Sequence, residues 1–177
     1  MAASTNVVVS NLELTPQRVK WNGVDIGGTT GNVQVEWKYQ KGEIKADQLG
    51  TSVLDRRITG FEAKVTTEIA EIRDIDAWAV MFPSATVVTS GGDTAIKFNL
   101  PIGHSDRDNA RQLNLHPIVA GDADVANEHT FYLAYPSEES EITYSPGEQA
   151  KAKIVWNVYP VLTGTEGQWY QFGDPTV

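Results

Sequence analysis

A chain of 177 residues, 41% hydrophobic and 21% charged, carries enough apolar surface for one folded domain and too little charge for a disordered one. Its formal charge of −9, from 14 Lys and Arg against 23 Asp and Glu, argues against a protein that grips nucleic acid by neutralising phosphates, although an acidic protein can still handle DNA by repelling it. The absence of cysteine excludes a disulfide framework, a thiolate metal site and a cysteine nucleophile, and fits synthesis in a reducing cytoplasm.

No window approaches the roughly 20 apolar residues of a membrane span, and MAASTNVVVS lacks the basic and apolar regions of a signal peptide. The expectation is a soluble, unsecreted single domain over 1–177. Residues 1–14, small and β-branched around Val7, Val8 and Val9, read as an N-terminal arm entering a short strand, with terminal fraying as the plain alternative. Trp21-Asn22-Gly23 carries the strongest short-range turn signal, and Gly27-Gly28-Thr29-Thr30-Gly31 marks a loop.

From Gly31 onward the residues alternate, Val33, Val35, Trp37 and Tyr39 on one face and Gln34, Glu36, Lys38 and Gln40 on the other, as in a half-buried strand. The same period returns with Thr59, Phe61, Ala63, Val65, Thr67 and Ile69 opposite Gly60, Glu62, Lys64, Thr66 and Glu68. The two strands are expected to pair antiparallel. Between them the polar stretch 41–54 predicts a loop too long for a tight hairpin. Past Glu68 the period lengthens: Ile69, Ile72, Ile75 or Asp76, Ala79 and Phe82 predict a helix over 69–82, with Glu68, Glu71 and Asp74 favouring its N-terminal dipole and Pro83 ending it.

After a turn at Gly91-Gly92-Asp93 comes a strand with Ile96, Phe98 and Leu100 on one side. RQLNLHPIVA and EHTFYLAYP follow as strands, where Pro117 and Pro136 suggest edges or bulges. QAKAKIVWNVYPV closes the series with Ala152, Ile154, Trp156 and Val158 facing inward. Seven or eight strands and one helix make the fold mainly β: an antiparallel sandwich or barrel with one flanking helix and a long hairpin loop.

The chemistry-bearing clusters are weak. His104, Ser105, Asp106 and Asp108 fit no triad or metal spacing and read as a solvated loop. Gly121 to Glu128 holds only some of the oxygens of a calcium loop. Glu138, Glu139 and Glu141 supply carboxylates without a separation that would define glycoside chemistry, so a solvated face is the simpler reading. Trp37, Trp78 and Trp156 fall on faces predicted to be buried, whereas Trp21 and Trp169 sit in less regular contexts where a neighbouring subunit could meet them. No enzyme, metal or cofactor is expected.

The segment VDIGGTTGNVQVEWKYQKGEIKADQLGTSVLDRRITGFEAKVTTEIAEI, with the closing IVWNVYPVLTGTEGQWYQFGDP, resembles the tail tube proteins of long-tailed bacteriophages, related in fold to contractile-tail and type VI secretion tubes. The likeness lies in order and length over most of the chain. It implies a virion protein, made in the bacterial cytoplasm, whose hexameric rings stack into a tube that conducts DNA without specific binding. Its implied partners are other copies of itself and tape measure, tail terminator and distal tail proteins, with no membrane. By position, Gln34, Glu36, Lys38, Glu62, Lys64, Thr66 and Glu68 would line the lumen, although the opposite face is the alternative; Lys38 and Lys64 would pair with Glu36 and Glu62 across the strands. Lys41, Glu43, Lys45, Asp47, Gln48, Asp55 and Arg56 would reach the adjacent ring. The competing readings are a tail terminator or head decoration protein, a carbohydrate-binding sandwich using Trp21, Trp169 and Tyr170, and, last, a hydrolase built on His104, Asp106 and Asp108.

Overall fold

The computed structural model describes residues 16–45, 52–82, 84–99, 102–121, 124–137, 139–162 and 167–174. The arm read at 1–14, residues 46–51 of the expected loop, and Leu100 lie outside them. Strands β1 (Gln17–Trp21) and β2 (Val24–Gly28) form a hairpin over Asn22 and Gly23. Both turn residues have positive φ, 52° and 77°, the combination that a two-residue turn needs to match the twist of its strands.

β3 (Gln34–Lys45) and β4 (Val53–Ile69) pair antiparallel as expected, from Gln34 opposite Thr66 to Lys45 opposite Val53. Residues 41–45 and 53–54 belong to these strands, so the described part of the expected polar loop is mostly strand: polar residues with both faces in water give no alternation to betray it. α1 (Ile75–Met81) is shorter than the expected helix, because β4 continues through Ile69. Asp74 sets its start by accepting hydrogen bonds from the Asp76 and Ala77 amides. Its buried residues are Ala77, Trp78 and Met81, not the stripe expected through Ala79.

β5 (Ala85–Ser90) and β6 (Asp93–Phe98) form a separate two-stranded hairpin whose turn, Gly91-Gly92, also has positive φ at both residues. A one-turn α2 (Asp106–Asn109) precedes β7 (Arg111–Pro117), β8 (His129–Pro136), β9 (Glu141–Thr143), β10 (Lys151–Tyr159) and β11 (Tyr170–Phe172). The large sheet runs β2-β1-β7-β8-β10-β4-β3, with β11 on β8 and β9 on β10. At one end β2 meets β4, where Thr29 bridges Ile69, the Thr30 amide donates to the Glu68 carbonyl at 3.0 Å, and the Ala70 amide to the Gly28 carbonyl at 3.1 Å. Six strands thereby curl into a barrel closed at that end, and among the described residues β3 is left outside it as an edge. Pro117 and Pro136 end strands inside this sheet rather than marking edges; the irregularity of the β7–β8 pair lies instead between Arg111 and Leu113.

The barrel is filled by Val19 and Trp21 from β1, Val65 and Ile69 from β4, Leu113 and Leu115 from β7, Phe131 from β8, and Ala152, Ile154, Trp156 and Val158 from β10, with Trp78 and Met81 of α1 in the same cluster. Trp156, fully buried, lies 6.1 Å from Trp21 between ring centroids, and each indole finds an acceptor: Thr67 Oγ1 for Trp156 and the Ala134 carbonyl for Trp21, both at 3.0 Å. Replacing Trp156 with Ala is expected to cost about 3–5 kcal/mol of unfolding free energy. Thr67→Val, which keeps the shape and strands the buried indole N–H, should cost about 1–3 kcal/mol. Urea unfolding followed by tryptophan fluorescence measures both.

Candidate functional site

β10 pairs with β4 only from Ala63 to Ile69, so beyond that point β4 has β3 as its only neighbour among the described residues. Inside the border, alternation works as expected: Ala63, Val65, Thr67 and Ile69 are buried while Glu62 is exposed and Lys64, Thr66 and Glu68 are half-buried. Outside it, every residue from Val53 to Thr59 is exposed, Ile58 at 61% and Leu54 at 52%. Irregularities in the pairing at Gln40/Lys41 and Ile44/Lys45 add twist to this projecting ribbon.

The apolar side of the ribbon is incompletely covered. Trp37, expected to be buried, is 57% exposed, and Tyr39 is 41% exposed. Trp169 covers the root, its ring 4.9 Å from Phe61 and 6.1 Å from Trp37, and Tyr39 leans on Phe61 at 5.5 Å. Trp21, whose irregular context left a neighbouring subunit open as its partner, is buried in the core. Trp169 and Tyr170 are half-buried by intramolecular packing, and the Tyr170 hydroxyl lies 2.8 Å from His129 Nδ1. Burial pushes the Tyr170 phenol above its ordinary value.

The polar side gathers all seven residues named from the sequence. Gln34 stands opposite Thr66, Glu36 opposite Lys64, and Lys38 opposite Glu62; Glu68 follows on the same face of β4, opposite Lys153 of β10. The ion pairs seen on this face have partners from outside the expected cross-strand set. Lys64 Nζ reaches both carboxylate oxygens of Glu139, at 3.0 and 3.1 Å, Lys151 reaches Glu68 at 2.7 Å, and Lys153 approaches Glu141 at 3.9 Å. Gln34 donates to Glu36 at 2.6 Å. The acidic run after β8, read from the sequence as a solvated face, therefore supplies counter-charges to lysines on two neighbouring strands. Lys151 and Lys153 escaped sequence reasoning; the alternation of QAKAKIVWNVY, already used to place its apolar residues inward, also puts both lysines on the outward face. A concavity of about 650 Å³ lies over this ribbon, with Glu36, Lys38, Glu62 and Lys64 in its lining.

Of the residues expected to reach another ring, Lys41, Glu43 and Lys45 lie on β3 and Asp55 and Arg56 on β4, while Asp47 and Gln48 lie outside the described residues. Arg56 pairs with Glu43 at 3.3 Å and Arg57 with Asp55 at 3.6 Å, all four well exposed and so weakly bound.

The remaining clusters have structural explanations. Ser105 caps α2 by accepting from the Asp108 amide at 3.3 Å, and the His104 ring packs on Tyr135. Burial raises the Tyr135 phenol pKa, with smaller contributions from Asp106 and Tyr159. Glu128 turns inward, 3.2 Å from buried His116 Nδ1 and in contact with Asn114, a network no sequence signal announced. Among the described residues no three His, Asp or Glu side chains converge as metal ligands, and no helix is long and apolar enough to cross a membrane.

The hydrogen bond to Glu68, and then its charge, raise the pKa of Lys151 above the ordinary 10.5. The pair's contribution to folding is therefore complete below 10.5 and is lost as pH rises through the folded value. Melting curves across that range are expected to show a smaller alkaline loss for Glu68→Gln than for the parent. No protein-family model matches the chain, and no curated protein matches it either.

Proposed function

We propose that this chain is the self-assembling subunit of a tube of the long-tailed phage type, in which rings of six copies stack into a conduit for DNA. The observation that carries the reading is the ribbon of β3 and β4, which has too little of its own domain to pack against. A two-stranded ribbon standing alone in water is marginal, and a 12-residue edge strand with exposed Trp37 and Tyr39 on one side invites pairing with another copy. Edge-to-edge addition of copies satisfies the outer backbone groups of β3 and covers its apolar side.

The opposite side suits a conduit. Five acids, Glu36, Glu62, Glu68, Glu139 and Glu141, meet four lysines, Lys38, Lys64, Lys151 and Lys153, so this face carries a net charge of −1 within a chain of −9. A polyanion passing such a wall meets lysines largely occupied by carboxylates and no uncompensated basic patch to hold it. A strongly basic lining would bind DNA and act as a brake.

Negative-stain electron microscopy over a concentration series tests the reading. The parent is expected to give hollow tubes, and a variant with 43–52 replaced by a short Gly/Ser linker is expected to stop at rings or monomers. Single rings from the parent would point to a terminator-like role, and a monomer at every concentration would overturn self-assembly. Trp37→Ala should leave the monomer's stability within about 0.5 kcal/mol, because the side chain is mostly exposed, while sharply reducing polymer yield in sedimentation.

A further inference from the structure

The 17 residues of β4 span roughly 56 Å at about 3.3 Å per residue, and the two ends of that strand differ in charge. At the outer end the projecting ribbon carries Lys41, Lys45, Arg56 and Arg57 against Glu43 and Asp55, a net of +2 over 40–45 and 53–60 in a chain of −9. Arg56 and Arg57 stand well out in solvent, with side chains 63% and 76% accessible. At the inner end, immediately after Ile69, lies a groove of about 550 Å³ between 70–74 and the stretch leading into β10. Glu71 and Asp74 line it with one cation, Arg73; Asp76 and Glu148 flank it in sequence, and nearby Lys151 is engaged by Glu68.

We propose that copies stack head to tail through these two ends: the basic β3–β4 ribbon of one copy seats in the acidic groove at the base of β4 in the next. This rests on the tube reading and assigns the receiving surface for its inter-ring contact. Three features favour this occupant. The ribbon and the groove lie at opposite ends of one continuous strand, so one chain cannot satisfy its own groove, and the contact repeats along the strand axis. Ribbon against ribbon would set Arg56 and Arg57 against their own copies, and groove against groove acid against acid, so like-to-like pairing is penalised. The surfaces also match in apolar content: Ile58 and Leu54 project from the ribbon, and Tyr144, 73% exposed, stands in the groove beside Ile72.

Charge reversal tests the pairing. Arg56→Glu/Arg57→Glu alters the ribbon, and Glu71→Lys/Glu148→Lys alters the groove while sparing Asp74, which caps α1. Each double variant, with its melting temperature retained, is expected to raise the critical concentration for polymerisation about tenfold or more, since like charges then face each other. An equimolar mixture of the two, or one chain carrying all four changes, should polymerise again. Polymerisation of both variants like the parent, or failure of both the mixture and the fourfold variant, overturns the pairing while leaving the tube reading intact; a parent that never polymerises overturns both. The parent alone gives an independent measure: added salt should raise its critical concentration, and a critical concentration that falls with salt would overturn an electrostatic contact.

Discussion

A strand of 17 residues cannot be matched by a barrel whose neighbouring strands have nine residues or fewer. Half of β4 is fixed by β10 and by the Trp156–Thr67 hydrogen bond in the core; the other half leaves the domain with β3 as its only partner among the described residues. The border at Phe61 and Ala63 organises what surrounds it. Trp169 sits there as a wedge between ribbon and barrel, and the pairing irregularity at Gln40/Lys41 falls just beyond, where the ribbon begins to twist without a third strand to restrain it.

The barrel half was largely legible from the residues. Period-two alternation found the buried sides of β4 and β10, Asn22-Gly23 gave the first hairpin, and Gly91-Gly92 gave the β5–β6 turn. Where one face meets a core and the other meets water, sequence pattern and environment agree. The reading failed where that condition fails. Residues 41–45 and 53–54 are strand, but their stretch reads as a polar loop because both faces are wet. Trp37 lies in perfect alternation and is nonetheless mostly exposed, because alternation reports that a face is apolar and is silent on what covers it. Trp21 is the reverse case: its neighbours form a turn and left its partner open, yet the indole points into the core.

The polar face was half legible. Its members on β3 and β4 follow from parity, and the register set Glu36 opposite Lys64 and Lys38 opposite Glu62. What escaped was the arrival of Glu139 and Glu141 from a segment some 75 residues beyond Lys64, since only the order of strands in the sheet brings β10 beside β4 and β9 beside β10. The buried His116–Glu128 pair is invisible for the same reason: a histidine in a strand and a glutamate in a loop acquire meaning only once a third strand supports both.

The three lysine–carboxylate pairs seen on the polar face all close within one chain. The partners of these three lysines are thus settled when each copy folds and do not wait for neighbours. In the proposed tube, copies would be added, lost or set at a different radius without altering the charge balance of the surface they present, and joining them would not need to draw counter-ions or protons onto that surface. The wall of the proposed tube would have the same electrical character at its first ring as at its last.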